Sequence, residues 1–260
     1  MSESTTWSQH PYRVRSSTLV TPVISELWLS PSAEPLAHRA GQYVLLGDTD
    51  WRVPQRSYSV ANAPRPDGGI SVLVTRVEGG PTSTWAHRLQ PGDEVLLEGP
   101  YGLFTTAPDR QGPLLLLGAG SGLAPLRALA EAVLHEAPGR PVTLFFSCRS
   151  AADRIGAAEF ERWQAEHPQF RYLDTLTREP TAPRHGRLPP QLAEAVGDLR
   201  GWEVFASGPS GFVVACAEAA QALGAAATDI HTEEFFTDPQ PWLGDKPALP
   251  GASNPSGDPA

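Results

Sequence analysis

Two short stretches of the chain carry residue types at spacings that could do chemistry. The first is Gly118-Ala119-Gly120-Ser121-Gly122-Leu123-Ala124-Pro125. Glycines at such a junction let the backbone turn tightly and approach a ligand closely. If a helix follows, its N-terminus offers free N–H groups and the positive end of its dipole to a pyrophosphate. The spacing is not G-x-G-x-x-G, so close packing without a ligand stays open as the alternative. The second stretch is Arg56-Ser57-Tyr58-Ser59. An arginine presents a fork of donors to a diphosphate. A tyrosine two residues on can lie against an aromatic ring system, and the neighbouring Ser59 hydroxyl can bond to a ring nitrogen. Taken alone, the same four residues also read as an ordinary strand with an exposed Arg and a half-buried Tyr.

The elements that must position these residues change texture halfway along the chain. From residue 11 to about 107, strand-like runs are broken by Gly and Pro: Val20–Leu29, Gln42–Leu46, Ile70–Val77 and Glu94–Leu97, with one short helix near Ser83–Leu89. Many short strands with turn signals predict an antiparallel sandwich or barrel. The second half alternates strand and helix. Leu114–Leu117 is a continuous apolar run of the kind covered on both faces. Pro125–Glu136 carries Leu126, Leu129, Ala130, Val133 and Leu134 at helical spacing, with Pro125 suited to a first turn. Val142–Phe146, Phe170–Leu176, Glu203–Ala206 and Ile230–Phe235 read as strands; Ala157–Glu166, Gln191–Val196 and Gly211–Leu223 read as helices. This rhythm predicts a parallel sheet with helices on both faces. The expected division is 1–10 disordered, 11–108 a β-barrel domain, 112–236 an α/β domain and 237–260 a disordered tail. That last segment holds six Pro and three Gly without periodicity, too little apolar surface to offset ordering entropy.

Composition narrows the function classes. The chain has 260 residues with 40% hydrophobic and 19% charged, enough to bury one core or two smaller ones. Twenty basic against 29 acidic residues give a net charge of −9, which disfavours a nucleic-acid binder. The aliphatic run at 114–117 is far short of the roughly 20 apolar residues of a membrane span. The opening MSESTTWSQH has neither a basic nor an apolar segment and does not read as a secretory leader. Cys148 and Cys216 are the two cysteines, too few for an iron–sulfur cluster or a disulfide framework. They read as buried free thiols in a reducing, cytoplasmic compartment. The seven His lack close metal-ligand spacing, so no metal site is expected.

Arg-x-Tyr-Ser in a small β-barrel, followed by a glycine-rich strand–helix unit, resembles the ferredoxin–NADP reductase family. The resemblance covers about residues 11–236, and its motifs recur in order. Gly41-Gln42-Tyr43 matches the strand before the flavin motif, and Arg56 through Asn62 the flavin signature itself. Gly79-Gly80-Pro81-Thr82-Ser83-Thr84 resembles the loop that holds the flavin diphosphate. Gly99-Pro100-Tyr101-Gly102-Leu103-Phe104 closes the barrel, Gly118–Pro125 matches the nicotinamide-dinucleotide loop, and Ser207–Phe212 the strand end near the nicotinamide. Ile230-His231-Thr232-Glu233-Glu234-Phe235 is similar to the final strand of the flavohaemoglobin and oxygenase-reductase branches.

The resemblance implies roles position by position. Arg56 should pair with the flavin diphosphate, Tyr58 lie against the ring system and ribityl, and Ser59 hydrogen-bond near flavin N5. Gly80, Ser83 and Thr84 should serve the diphosphate, with Asn62 in the context typical of FAD branches; FMN is the alternative flavin. Gly118, Gly120, Gly122 and Pro125 should hold the nicotinamide dinucleotide, with Ser207, Gly208 and Pro209 beside its reactive ring. Phe235 should cover the flavin and Glu233 order that site; Glu234 and Phe236 are the register alternatives. Arg149 and Arg154, after the second parallel strand, tilt the expectation to NADPH over NADH, because an arginine there suits a 2′-phosphate. Arg178 and Arg187 could add charge. Ser207 departs from the cysteine common in the family. The implied activity is hydride transfer from NAD(P)H to FAD and electron delivery to a separate protein acceptor, an iron–sulfur or haem protein. A flavin-binding sensor or low-turnover electron-transfer subunit, and a free-flavin or quinone reductase, are the alternatives.

Overall fold

Side chains alternate between buried and exposed along the first strands, and that alternation wraps them round one core. The computed structural model describes residues 9–107 and 110–235. Strands β1 (Gln9–Thr21), β2 (Ile24–Pro31), β3 (Tyr43–Gly47), β4 (Arg56–Ser59) and β5 (Ile70–Thr75) precede helix α1 (Pro81–Ala86) and strand β6 (Glu94–Tyr101). All six strands form one antiparallel sheet in the order β4-β3-β6-β1-β2-β5. A Val60–Val72 bridge just past β4 joins the two ends of that sheet and bends it into a barrel. Tyr12, Val14, Leu27, Leu29, Val44, Leu46, Val72, Val74, Val95 and Leu97 fill it.

Three local expectations shift. The run Val20–Leu29 is not one strand. Pro22 cannot donate to a ladder, and the Thr21 hydroxyl accepts from the Val23 and Ile24 N–H groups at 3.2 and 2.9 Å, closing a turn between β1 and β2. The helix near Ser83–Leu89 starts two residues earlier, because Pro81 occupies its first turn and needs no N–H there. Gln9 and His10, assigned to a loose N-terminus, instead pair with Glu98 and Leu97 of β6. The expected loose residues 1–8 and the tail 237–260 lie outside the described residues.

The second half is built from β7 (Leu114–Ala119), α2 (Leu123–Glu136), β8 (Val142–Cys148), α3 (Ala157–Glu166), β9 (Phe170–Leu176), α4 (Leu192–Val196), β10 (Glu203–Gly208), α5 (Ser210–Ala222) and β11 (Ile230–Glu234). The strands form a parallel sheet in the order β11-β10-β7-β8-β9. Leu114 and Leu116 face one core and Leu115 and Leu117 the other, as a strand covered on both faces requires. The chain steps outward from β7 to β8 and β9, then returns to β10 on the other side of β7. Ligands in open α/β sheets bind at such a reversal, beyond the strands' carboxyl ends. Among the described residues no helix is long and apolar enough to cross a membrane.

The halves meet along α2. Ile24, Ala61, Leu73 and Phe104 from the barrel side share one apolar cluster with Leu126, Leu129 and Phe205. Arg127 lies in this seam at 6% exposure. Its guanidinium donates to the Ala61 carbonyl at 2.6 Å, to the Ser71 hydroxyl at 3.1 Å and to the Glu26 carboxylate. One turn on, Glu131 accepts from the Ala63 N–H at 2.7 Å and from Arg65 at 2.9 Å.

A second buried pair lies under the parallel sheet. Arg140 donates to Glu203 at 2.6 Å with both side chains 2% exposed, and Arg140 also reaches the Gly112 carbonyl. Arg140→Met should lower stability by about 3–5 kcal/mol in urea unfolding, because it strips a buried carboxylate of its guanidinium and leaves Glu203 only the His231 imidazole, at 3.5 Å. The double change Arg140→Met with Glu203→Leu should recover most of that loss.

Candidate functional site

The reversal in the parallel sheet sets two turns side by side. Gly118 pairs with Ser207, and Ser207 pairs on its other side with Glu233. Gly120–Gly122 form a single 3-10 turn into α2, where Pro125 is buried in the first turn. The fit is backbone on backbone: a Cβ on Gly122 would meet the Ser207 carbonyl oxygen at 2.4 Å. Any side chain there would push β10 off the turn. Pro209 opens α5, its carbonyl accepting from the Phe212 and Val213 N–H groups. Ser207 is fully buried, and its hydroxyl oxygen has no hydrogen-bond partner. Gly208, next to it, accepts at its carbonyl from the Phe235 N–H at 2.8 Å.

That last bond sets the register of the final strand. His231, Glu233 and Phe235 are half-buried, whereas Thr232 and Glu234 are exposed. Glu234 is therefore turned away from the site; Phe236 lies outside the described residues. The Ser59 hydroxyl, at the end of β4, donates to Glu233 Oε2 at 3.2 Å. A barrel residue and a residue of the last parallel strand thus share a hydrogen bond across the crevice. Burial pushes the Glu233 carboxyl up to about 7, against the smaller lowering effect of the Ser59 hydroxyl. Ser121 of the glycine turn accepts a hydrogen bond from Thr75 of β5 at 2.8 Å, a second polar link across the same crevice.

On the barrel, β4 carries the other expected residues. Tyr58 packs partly buried against the barrel core, and burial pushes its hydroxyl up to about 12. Arg56 donates to the Gln55 carbonyl at 3.1 Å. Between the loop that precedes β4 and the start of α1 lies an open cavity of about 530 Å³, walled by Asp48, Arg52, Gly80, Thr84, Trp85 and Arg88 but by no residue of β4. Gly79, in the left-handed region at φ +71°, has open space where a side chain would stand. Two of the expected residues are engaged within the protein. Ser83 does not face the cavity: its hydroxyl is buried and accepts from the Val77 N–H at 3.1 Å, tying the loop, while Thr84 is on the wall. Asn62 is 1% exposed, and its amide bonds the Ala63 and Gly69 carbonyls and the Ser71 N–H. It braces the barrel seam rather than facing open space.

Arg149 and Arg154 diverge. Arg154 forms a forked pair with Asp174, at 2.5 and 3.2 Å. Arg149 is exposed at the end of β8, and its carbonyl accepts from the N–H of exposed Arg178 at 2.8 Å. Arg187 is exposed in the loop before α4. Cys148 and Cys216 are buried free thiols, pushed up to about 12 by burial. Motif reading missed Arg52, Trp85 and Arg88; the aromatic and basic residues flanking the Gly79–Thr84 loop are the signal that could have found them.

Two family models match the chain: an oxidoreductase FAD-binding domain over residues 18–106 and an oxidoreductase NAD-binding domain over residues 116–218. The reductase component 2 of a terephthalate 1,2-dioxygenase from Comamonas is 32% identical over 231 residues, 87% of this chain and 68% of that one. Ferredoxin–NADP reductase B of Sorangium cellulosum is 32% identical over 190 residues, 70% of this chain and 78% of that one. The solved structure of an Amycolatopsis cytochrome P450 reductase superposes with a TM-score of 0.81 at 34% identity, covering 88% of this chain and 70% of that one.

The raised Glu233 carboxyl couples the site to pH. The folded chain holds a proton that the unfolded chain releases from about pH 4.5 upward. Glu233 should therefore contribute stability that is full below about pH 4.5 and lost as pH rises through about 7, on the order of 2–3 kcal/mol. Unfolding midpoints measured across that window should fall with pH for the unmodified chain and more shallowly for Glu233→Gln.

Proposed function

We propose, from the premise that the chain belongs to the ferredoxin–NADP reductase family of FAD- and NAD-binding oxidoreductases, a division of labour among the residues of the crevice. The protein is an NAD(P)H-dependent flavin oxidoreductase that delivers electrons to a separate acceptor. When bound, a flavin would supply the redox chemistry between the nicotinamide and the acceptor, while the protein supplies orientation and electrostatics. The residues present fit that group. Gly79, Gly80 and Thr84 line an open cavity with space at Gly79 for a close backbone approach. The half-buried Tyr58 and Phe235 offer aromatic faces, and Ser207 holds a buried hydroxyl without a partner at the strand end.

In this reading Arg56, Gly80 and Thr84 bind the flavin diphosphate, with Ser83 and Asn62 bracing the loops around it. Tyr58 and Phe235 would offer their aromatic faces to the ring system. The observation that carries the reading is the Ser59–Glu233 hydrogen bond between the two halves. It sets a hydroxyl and a carboxyl that is half-protonated near neutral pH at the reacting end of the crevice. Such a pair can hold a proton at Glu233 Oε2 and move it through Ser59 Oγ. Gly118, Gly120, Gly122 and Pro125 bind the nicotinamide dinucleotide at the start of α2, and Ser207, Gly208 and Pro209 border its ring.

For the nucleotide, Arg154 is engaged by Asp174, so we assign the 2′-phosphate contact to Arg149 and favour NADPH over NADH on that side chain. The acceptor is an iron–sulfur or haem protein, by analogy with the oxygenase reductase components to which the chain is similar. Ser207, standing where the family commonly has a cysteine, favours one second reading, a flavin-binding electron-transfer subunit with little turnover of its own.

Anaerobic rapid mixing of the flavin-loaded protein with NADPH and then NADH tests these assignments. Fast bleaching of the flavin band is expected; a bound flavin that neither nucleotide reduces would favour the low-turnover reading. Ser59→Ala should slow bleaching with flavin still bound. Arg56→Ala should lose flavin on dialysis. Arg149→Ala should weaken NADPH roughly tenfold or more while leaving NADH unchanged.

A further inference from the structure

The turn into α2 carries a single polar side chain. From Gly118 to Pro125 every residue but Ser121 is glycine, alanine, leucine or proline. Leu123, Ala124 and Pro125 are buried. Gly122 is pressed against the Ser207 carbonyl, whereas Gly120, in the left-handed region at φ +56°, has open space where a side chain would stand. Ser121 is half-buried between that closed side of the turn and the open one. Its hydroxyl is the turn's one side-chain group able to hydrogen-bond a ligand.

That hydroxyl is held from the barrel. Thr75 ends β5, opposite Ile24 of β2. Leu73 lies two residues before it on the same face of the strand, and both Leu73 and Ile24 join Leu123 in the apolar cluster between the halves. The backbone that carries Thr75 is therefore anchored in the seam, and a branched side chain has little freedom at χ1. The Thr75 hydroxyl donates to Ser121 Oγ at 2.8 Å. A hydroxyl has one proton to donate and two lone pairs with which to accept. Accepting from Thr75 occupies one lone pair of Ser121 and leaves its own proton to donate. The accepted bond also polarises Ser121 toward donating. Without it, the Ser121 side chain would share its time among staggered rotamers.

We infer that Thr75 is a positioning residue for the nicotinamide dinucleotide: a barrel hydroxyl that holds Ser121 so that its proton is donated to the dinucleotide's phosphates. The inference rests on the assignment of this turn to the nicotinamide dinucleotide above. The turn belongs to the half matched as NAD-binding and Thr75 to the half matched as FAD-binding, so one domain completes the site of the other. The phosphates between the two nucleosides are common to both nicotinamide dinucleotides. Thr75 therefore acts on both alike, unlike Arg149, which is assigned to the 2′-phosphate of one.

The test titrates the flavin-loaded full-length chain with NADP+ and with NAD+ in a calorimeter, so that affinity is read without turnover. The unmodified chain should bind at least one of them. Thr75→Val keeps the shape and removes the hydroxyl; it should raise the Kd of each nucleotide that binds roughly three- to tenfold, the range of one hydrogen bond. Thr75→Ser should restore affinity to within about twofold. Ser121→Ala should match Thr75→Val. The double variant should bind no more weakly than Ser121→Ala, because the two hydroxyls act as one unit. Flavin absorbance and a cooperative melt check each variant, and Thr75→Ala takes the place of Thr75→Val if the latter does not fold. Unchanged or tighter binding by the folded variant, a loss that Thr75→Ser does not repair, or additive losses in the double variant overturn the role of Thr75 alone. An unmodified chain that binds neither nucleotide overturns the nicotinamide reading and this inference with it.

Discussion

A guanidinium in an apolar seam has to be paired, and Arg127 is paired almost wholly across it. Its hydrogen-bond partners, the Ala61 carbonyl, the Ser71 hydroxyl and the Glu26 carboxylate, all belong to the barrel side. Separating the halves would strip a buried charge of its partners, a far larger penalty than loosening an apolar contact. The orientation of barrel against parallel sheet is thereby restricted to arrangements that satisfy one planar fork. Everything at the crevice inherits that restriction. Ser59 comes from the barrel and Glu233 from the last parallel strand, and they meet only if α2 is seated correctly.

The crevice itself is set by a second constraint, the absence of side chains. The glycine turn into α2 and the end of β10 approach until backbone touches backbone. That contact packs the start of α2 against the residues bordering the other side of the site. Burial then acts on what remains. Glu233 is desolvated enough to keep its proton near neutrality, while the Ser207 hydroxyl is withdrawn from solvent without a partner. The end of the crevice therefore holds both an acid that can give up a proton and a donor left unanswered. Such groups are costly in a folded chain unless the site makes use of them.

Much of this architecture was legible in the residues. Apolar runs of four or five and helical repeats between them marked the parallel half, since burial on both faces leaves a simple signature. Arg-x-Tyr-Ser and the glycine turn marked the two sides of the crevice because their spacing is local. What stayed hidden depends on partners far apart in sequence. Arg127 sits within an amphipathic repeat, and nothing local in the sequence points to its buried partner Glu26, 101 residues away. Ser83 and Thr84 are equivalent on paper; a turn of α1 and the Val77 N–H decide which one faces the cavity. Asn62 belongs to a motif, yet its amide is filled by its own loop. Arg154 reads as a free cation until Asp174 comes into range from the neighbouring strand.

The two buried thiols have a consequence outside the hydride path. The thiolate is the form that peroxide attacks, and burial holds both Cys148 and Cys216 almost wholly protonated. The chain has one methionine, at position 1. Between residues 9 and 235 there is thus almost no sulfur that a stray oxidant could reach. A protein that handles reducing equivalents beside dissolved oxygen generates its own oxidative hazard, and this one presents that hazard with few targets. Oxidation of its sulfur should accordingly play little part in limiting its working lifetime.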